Sequence, residues 1–280
     1  MPIRKLKPTT PGSRQLSYLT FEEVTKTKPE KKLTIRLKRR AGRNNQGKIT
    51  TRHHGGGHKR LYRMIDFNQI DKKGIEGKVA AIEYDPYRTA YIMLVNYRDG
   101  DKRYHIAPEG IKVGTKVMMA DKAKLKKGSR CMIKNIPVGF MVHNIEVRHE
   151  KGGQLIRSAG SYATVVSHDD AKFTQVGMPS GEVRHIDKRC FASVGIVSNI
   201  DYAKVSIGKA GRKRHMGIKP TVRGKVMNPV DHPHGGGEGC QPIGLPHPKT
   251  PWGMPALGFK TRKRKYSDRL IVKSRHRNKK

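Results

Sequence analysis

Positive charge is concentrated at the two ends of this chain, and that imbalance most limits how it can fold. Residues 75–200 carry 20 Lys and Arg against 13 Asp and Glu, whereas the two flanks together carry 40 against 9. Blocks of like charge repel one another and are typical of interaction tails. The pattern therefore predicts a folded middle with a basic arm on each side.

The net charge also limits the class of partner. A formal charge of +38 on 280 residues repels itself unless a polyanion neutralises it. Nucleic acid is the first candidate polyanion, and an anionic membrane surface is the second. Apolar residues make up 35% of the chain, below the roughly 45–50% (counted with Gly) of globular domains. The core is therefore confined to part of the chain.

The cysteines and the first residues bear on the compartment. Cys131, Cys190 and Cys240 are odd in number and widely spaced, which favours reduced thiols over a disulfide framework or a Cys-x-x-Cys metal site. The N-terminal residues have the charge of a signal peptide without its apolar run. No stretch approaches the ~18 apolar residues of a membrane span. These features predict a protein of the cytosol or of an organelle matrix.

The middle of the chain is patterned as short strands. Residues 79–84 and 91–97 are rich in β-branched and aromatic residues and are separated by the turn signal DPYRT. We also expect one strand over 139–147, and a pair over 173–178 and 182–186 joined by Pro-Ser-Gly. With a polar joint near 120–129, this pattern predicts a mostly β fold of two small closed barrels.

The stretch MNPVDHPHGGGEG, residues 227–239, holds chemically capable side chains in an irregular loop. Its two prolines exclude a helix or a central strand, and its three consecutive glycines permit close approach of another backbone. A plain surface turn is one interpretation, and a binding or catalytic loop is the other. The candidate residues of this loop are Asn228, Asp231, His232, His234, Gly235, Gly236 and Gly237.

The first arm contains a second histidine-rich loop, HHGGGH. From Lys31 to Arg63 there are 12 Lys and Arg and no acid. A metal site is one interpretation of the three histidines, but no carboxylate or thiol nearby completes a ligand set. Contact with a polyanion is favoured, and a plain solvated loop is the remaining alternative. The candidate contacts in this arm are Arg43, Asn44, Arg52, His53, His54, His58, Lys59, Arg60 and Arg63.

Cations elsewhere complete the candidate set. Arg88 in the DPYR turn and Arg157 in QLIRSAG are each interpretable as a solvated charge or as a phosphate contact. The segment GKAGRKR lacks the spacing of a phosphate-binding P-loop. The candidates in the second arm are Lys209, Arg212, Lys213, Arg214, Arg223, Lys260 and Arg262.

Three function classes compete for this pattern. A structural RNA-binding protein would dock its barrels on folded RNA and exchange counterions for Lys and Arg. A DNA-binding protein is a second class. The third is a metal-assisted hydrolase or nuclease built on Asp231, His232 and His234. The third class is disfavoured, because zinc hydrolases often carry two His at i, i+4 on a helix and this loop has none. The low aromatic fraction of 6% favours a binder of RNA backbone and shape.

A set of colinear motifs resembles the bacterial type of the large-subunit ribosomal protein two family. They include GRNNQGKITTRHHGGGHKRLYRMIDF, AAIEYDPYRTA, GGQLIRSAGSYA, PTVRGKVMNPVDHPHGGGEG and TPWGMPALGFKTRK. The resemblance implies an OB-like barrel over 61–125 and an SH3-like barrel over 126–203. It also implies basic extensions over 1–60 and 204–280, the latter reaching toward the peptidyl-transferase region.

The resemblance also implies a function and partners. The chain would be a primary binder of large-subunit rRNA of the 23S type, needed for assembly, for subunit association and for the environment of the peptidyl-transferase centre. Its neighbours would be other ribosomal proteins, the small subunit and tRNA, in a cytoplasmic ribosome, with no membrane or DNA partner. No enzyme activity, cofactor or protein metal site is expected, since Mg²⁺ would be associated with the rRNA.

Individual residues follow from the same resemblance. Arg88 and Arg157 match RNA contacts of the family. His232, paired with Asp231, matches a histidine that would support peptide-bond formation by positioning or proton donation at most. Two departures stand out: His215 occupies a position where Trp is expected, and Cys240 one where a basic residue is usual.

The charge map yields a first prediction. Residues 260–280 hold 11 Lys and Arg and one acid. Because each neutralised phosphate adds roughly 0.7–0.9 to the salt slope of RNA affinity, deleting this segment should flatten the slope more than it alters barrel stability. Filter binding over a salt series measures the slope, and an unchanged slope would exclude the segment as an RNA contact.

Overall fold

The computed structural model describes residues 3–239, 241–261, 263 and 265–275. Its strands are β1 (Ile3–Lys5), β2 (Ser17–Leu19), β3 (Thr34–Ile35), β4 (Tyr62–Arg63), β5 (Glu76–Glu83), β6 (Ile92–Tyr97), β7 (Lys102–Ile106), β8 (Lys116–Met118), β9 (Arg130–Met132), β10 (Met141–His143), β11 (Ile145–Glu146), β12 (Gly153–Leu155), β13 (Ala163–Ser167), β14 (Phe173–Gly177), β15 (Val183–Asp187), β16 (Phe191–Val194) and β17 (Ile271–Lys273). The prediction of a mostly β chain is confirmed.

Helical structure is limited. One α-helix, α1 (Ala210–His215), occurs in the described residues. Short 3₁₀ helices span Lys31–Leu33, Ile70–Lys72, Ile133–Asn135, Ile200–Lys204, Gly224–Val226 and Tyr266–Leu270. No helix of the described ranges is long and apolar enough to cross a membrane.

The chain divides into two compact units. We call the first the β unit; its described residues are 3–38, 59–209 and 269–275. We call the second the arm unit; it is formed by the described residues of 39–58 and 210–268. Each basic flank therefore contributes to both units. The domain bounds of the sequence analysis stay a prediction.

The first sheet of the β unit is antiparallel, in the order β7-β6-β5-β8. Along β6, Met93 and Val95 enter one apolar cluster, whereas Ile92 and Leu94 enter another. Successive side chains of a strand point to opposite faces, so both faces of this strand are buried, which is why the strand is apolar without alternation. Leu33 of the first arm and Ile65 pack on the second face.

The second sheet is also antiparallel, in the order β17-β15-β14-β13-β10-β16-β9. Its core includes Cys131 and Cys190, which are buried free thiols. Burial raises the pKa of the Cys131 thiol to about 11 and that of Cys190 to about 12, so both stay protonated near neutral pH. Cys240 lies outside the described residues.

The expected strand over 139–147 is interrupted. Asn144 takes a left-handed backbone conformation with φ of 49° and separates β10 from β11. Its N–H donates to the Ile156 carbonyl at 2.9 Å, and β11 pairs with β12 instead of continuing the large sheet. The turn at Pro-Ser-Gly forms as expected, because Gly181 supplies the positive φ of 82° between β14 and β15.

The last strand, β17, is part of the second sheet and would be lost if residues 260–280 were deleted. Ile271 and Lys273 of β17 pair with Arg184 and Val183 of β15. Deleting 260–280 therefore removes an edge strand of the second sheet together with the charge. Replacing the Lys and Arg of 260–265 by Gln is the cleaner form of the same experiment.

A fully buried ion pair joins the second sheet to β11. Arg130 Nη2 lies 2.8 Å from Glu146 Oε1, and both side chains are 0% exposed. The guanidinium also donates to the Asn144 carbonyl at 2.7 Å, and Glu146 Oε2 accepts the Phe191 N–H at 3.1 Å. These bonds link β9, β11 and β16. Burial disfavours the charged form of Arg130 and lowers its pKa. Removing either partner would therefore leave the other charge buried and uncompensated.

We predict that Glu146→Gln destabilises the chain by about 3–5 kcal/mol, because it leaves the buried Arg130 charge uncompensated. Chemical denaturation of the full chain measures the free energy of unfolding. The matched control is Glu30→Gln, whose partner Lys102 lies 3.6 Å away and is 50% exposed; the expected cost there is about 0–1 kcal/mol. Equal losses for the two variants would contradict a structural role for the buried pair.

Candidate nucleic-acid interface

The two main sheets of the β unit are joined by backbone hydrogen bonds. The Glu109 N–H donates to the Ile196 carbonyl at 2.8 Å, and the Ser198 N–H donates to the Ala107 carbonyl at 3.0 Å. Nearby, the Asn199 side-chain amide donates to the Thr89 carbonyl at 2.7 Å. These bonds fix the turn that carries Arg88 against the second half of the unit.

Arg88 and Arg157 converge on one aromatic ring at this junction. The guanidinium carbons of Arg88 and Arg157 lie 5.6 Å and 4.6 Å from the centroid of the Phe67 ring. The Phe67 carbonyl accepts the Gly153 N–H at 2.9 Å, which holds the ring beside the strand that leads to Arg157. Cations within about 6 Å of a ring centroid are attracted by its face. Two arginines from separate loops are thus held in one place.

Arg88 is also fixed by a buried carboxylate. Its Nε donates to Asp85 Oδ2 at 2.6 Å, and the Asp85 side chain is 0% exposed. The other oxygen of Asp85 accepts the Tyr87 N–H at 2.9 Å, which shapes the turn. Sequence reasoning missed Asp85 and Phe67. The Asp-x-x-Arg spacing of DPYR was a usable signal for the pair, whereas Phe67 gave none.

The two arms pair with each other in the arm unit. The Gly55 N–H donates to the Gly217 carbonyl at 2.9 Å, the His58 N–H to the His215 carbonyl at 3.0 Å, and the Lys219 N–H to the His53 carbonyl at 3.0 Å. The predicted loop HHGGGH is therefore one side of a short backbone ladder. Its glycines serve that pairing, as a Cβ on Gly57 would lie 2.6 Å from the His215 oxygen.

His215, at the position where the family resemblance leads one to expect Trp, contacts the first arm through its ring. The rings of His58 and His215 are 4.6 Å apart at an interplanar angle of 60°. A second contact joins the same two arms, because the guanidinium carbon of Arg52 lies 5.5 Å from the Trp252 ring centroid. Aromatic packing thus supplements the backbone ladder.

The loop 227–239 is held by its own histidines. His232 Nδ1 accepts the His234 N–H at 3.0 Å, and His234 Nε2 accepts the Lys249 N–H at 2.8 Å. Both ring nitrogens must be unprotonated to accept these bonds. Burial and the nearby His232 and Lys249 lower the pKa of His234. The bond to Lys249 is therefore present above the ordinary histidine pKa and is lost as pH falls through the lowered one.

These contacts limit what His232 can do chemically. The side chain is 7% exposed, and a Cβ on Gly224 would fall within the space of its ring. No hydrogen bond or ion pair joins Asp231 to His232 in the part of the chain that the structure describes. Within the same residues, no group of three His, Cys, Asp or Glu side chains is placed to hold a metal ion. The histidines act as loop-fixing acceptors.

Most of the predicted contact residues lie on or near the surface. The exposed ones are Arg43, Arg52, His53, His54, His58, Lys59, Arg157, Lys209, Lys213, Arg214, Arg223, Asn228, Gly237 and Lys260. Those of intermediate burial are Asn44, Arg60, Arg88, Arg212, His234, Gly235 and Gly236. Arg262 lies outside the described residues.

Two predicted contact residues are buried. Arg63 is 8% exposed and donates to the Leu61 carbonyl at 3.0 Å, so its guanidinium is turned inward. His232 is the other.

Asn44 also has a structural role, because its Oδ1 accepts the N–H groups of Gln46 and Lys48, each at 3.0 Å. The structure therefore favours the exposed cations of the arms over these three residues as contacts.

Charge is unevenly distributed between the units. The β unit has ion pairs within it, among them those of Lys72 with Asp99 and of Arg103 with Asp66. The described residues of the arm unit hold 15 Lys and Arg against 3 Asp and Glu. A compact unit with this charge requires an external polyanion for neutralisation.

The fold and this charge distribution define a β-rich protein suited to bind a polyanion such as nucleic acid. Comparison with family models gives the particular family. Residues 30–119 match the model described as Ribosomal Proteins L2, RNA binding N-terminal domain, and residues 126–253 match Ribosomal Proteins L2, C-terminal domain. The two matches cover most of the chain, and it belongs to the ribosomal protein L2 family. The predicted OB-like and SH3-like fold class is confirmed.

The pairing of the arms yields a prediction with a matched control. Gly57 and Gly47 have φ of 80° and 78°, so alanine strains the backbone equally at both. Only Gly57 faces a neighbouring backbone, since a Cβ on Gly47 meets nothing within 4 Å. We expect Gly57→Ala to increase amide exchange across 53–58 and 215–219 at least tenfold over Gly47→Ala, a difference of roughly 1.4 kcal/mol.

Hydrogen–deuterium exchange of the full-length variants, read by peptide mass, checks this expectation. The β unit serves as an internal reference in both proteins. Equal exchange of the two variants at 53–58 would mean that the ladder between the arms does not hold them.

Proposed function

We propose that this chain is a primary binder of large-subunit rRNA of the 23S type, and that it is needed for assembly of that subunit. One observation carries the proposal. Arg88, from the turn between β5 and β6, and Arg157, from the loop after β12, are held at the same Phe67 ring. A planar guanidinium presents paired N–H donors that match phosphate oxygens. Two such groups at a fixed separation recognise the shape of a folded RNA backbone.

The arm unit supports the same proposal. Its 15 described Lys and Arg release counterions when they neutralise phosphates, which supplies affinity without sequence readout. The exposed residues of α1 and of 39–54 present these cations on a small frame that is rich in glycine. Glycine allows a protein backbone to approach RNA closely. The arm unit is thus suited to narrow spaces within folded RNA.

The finer role follows from the loop 227–239. We propose that this loop lies near the peptidyl-transferase centre, where the RNA performs the reaction and the protein acts as a structural neighbour. The hydrogen bonds of His232 and His234 support a positioning role for them, because both rings are engaged in holding the loop. The hydrolase or nuclease alternative gains no support, as these ring nitrogens already accept backbone bonds.

Partners beyond the rRNA belong to this proposal as well. Other ribosomal proteins, the small subunit at the intersubunit face and tRNA are the expected neighbours, and Mg²⁺ would be bound by the rRNA. The proposed location is the ribosome of a bacterial-type cytoplasm. Co-sedimentation of the tagged chain with the large subunit, at a magnesium concentration that separates the subunits, tests these assignments together.

Arg157→Gln gives the sharpest test of the rRNA contact. We expect the slope of log affinity against log salt to fall by roughly 0.7–0.9, with a loss of roughly fivefold to tenfold in affinity near 0.1 M salt. Filter binding of the full-length variant to large-subunit rRNA measures both. Arg88 is less suitable, because removing it strands the buried Asp85 carboxylate.

The matched control is Arg98→Gln. Arg98 directly follows β6, is 74% exposed and lies 3.7 Å from Glu76. Both variants lose one positive charge, so a difference between them reports position and not net charge. Equal slopes for Arg157→Gln and Arg98→Gln would refute the junction as an RNA contact.

A further inference from the structure

The arm unit contains a concavity that its positive charge alone does not explain. We call it the arm pocket. Its volume is about 410 Å³, within the roughly 300–1,000 Å³ of small-ligand sites. Its walls come from both arms, over 41–54 and 219–227. The ladder between the arms therefore builds the pocket, since the Lys219 N–H bond to the His53 carbonyl joins its two sides.

The walls of the arm pocket are partly aliphatic. Ile49 and Val222 are 58% and 55% exposed, and both line it together with Pro220 and Met227. Covering an exposed aliphatic side chain stabilises a complex only when the covering surface is itself apolar. A phosphate group offers no such surface. The regular duplex stacks its bases inside, so its backbone offers none either.

The rim of the arm pocket is cationic. Arg43, Arg52 and Lys219 line it, with His53 and His54 beside them. None of the described lining residues is acidic. A ligand that packs against the aliphatic walls and neutralises the cationic rim must combine a flat, weakly polar ring with a negative charge. Nucleotides have this composition, and RNA is the nearest source of them for this chain.

We propose that the arm pocket holds one unpaired nucleotide of the RNA, with its base against Ile49, Pro220 and Val222 and its phosphate on the cationic rim. The inference rests on the proposed rRNA-binding function. It adds a site that takes a base extruded from the stack, in contrast to the backbone contacts of the junction.

An aromatic face adjoins the arm pocket. Trp252 is 78% exposed, and the guanidinium of Arg52, which lines the pocket, lies 5.5 Å from its ring centroid. Unpaired bases stack on exposed aromatic rings and on Arg planes, each contact contributing roughly 1–3 kcal/mol. A nucleotide next to the bound one would find a stacking surface there.

The test uses the full-length chain with isotope-labelled Ile and Met methyl groups. Methyl NMR spectra are recorded with the four nucleoside 5′-monophosphates, with inorganic phosphate, and with large-subunit rRNA. We expect the Ile49 and Met227 methyl signals to shift with the rRNA and, weakly, with the monophosphates, because a base ring lies against them. Inorganic phosphate should leave both signals in place.

A matched pair of variants adds an affinity readout. Val222→Asp places a carboxylate in the wall, whereas Val138→Asp makes the same change at a valine that is also 55% exposed but lies in the β unit. We expect Val222→Asp to abolish the methyl shifts and to weaken rRNA binding roughly tenfold more than Val138→Asp.

The outcomes separate this inference from the proposed function. The nucleotide-pocket proposal would fail if the Ile49 and Met227 signals did not move in a saturated rRNA complex, or if the two valine variants lost affinity equally. The rRNA-binding proposal would stand in either case. Shifts produced equally by inorganic phosphate would reduce the pocket to an anion site and overturn the nucleotide-pocket proposal too. Tight binding of free monophosphates that rRNA does not displace would contradict RNA as the source. Failure to bind rRNA at all would overturn both proposals.

Discussion

Repulsion among the cations of the two arms is the constraint on which this structure depends. Fifteen described Lys and Arg with three acids form one compact unit, whereas ion pairs such as Arg103 with Asp66 and Arg130 with Glu146 stabilise the other unit. The arms are held largely by the backbone ladder between 53–58 and 215–219, the close approach of Gly57, and ring contacts such as that of His58 with His215. The cations that take part bind neutral groups: Arg39 donates to the Gly56 and Gly57 carbonyls, and Arg52 lies over the Trp252 ring.

This arrangement keeps the cations available. An internal salt bridge would have to be broken, at a desolvation cost, before a phosphate took its place. Backbone hydrogen bonds compete with no phosphate, so the frame persists while the side chains bind. The histidines of 227–239 follow the same logic, because they stabilise their loop as neutral acceptors of backbone N–H groups.

The β unit uses charge in the opposite way. Arg130 and Glu146 are buried together and link β11 to strands β9 and β16 of the second sheet, and the buried Asp85 fixes Arg88. Buried pairs of this kind set geometry, since removing one partner leaves an uncompensated charge. The rigid frame then holds Arg157 and Arg88 at a fixed place, which a basic tail alone would not do.

Part of this account was predictable from the sequence. The apolar run of β6 and the turn residues around Gly181 identify strands because their side-chain periodicity is local. The break at Asn144 was not predictable, because it depends on a hydrogen bond to Ile156, which follows β12 and is brought near only by the pairing of β11 with β12. The same holds for Phe67 beneath the two arginines and for the pairing of the arms. The motifs identify the candidate residues of these sites, but the residues that contact them are set by the tertiary structure.

The most direct measurement is hydrogen–deuterium exchange of the full chain, alone and bound to large-subunit rRNA. The account predicts new protection in 39–58 and 210–239 and around Arg88 and Arg157, with the sheet strands unchanged. Protection confined to the outer strands of the sheets, with both arms exchanging as in the free protein, would contradict the claim that the paired arms deliver the charge to RNA.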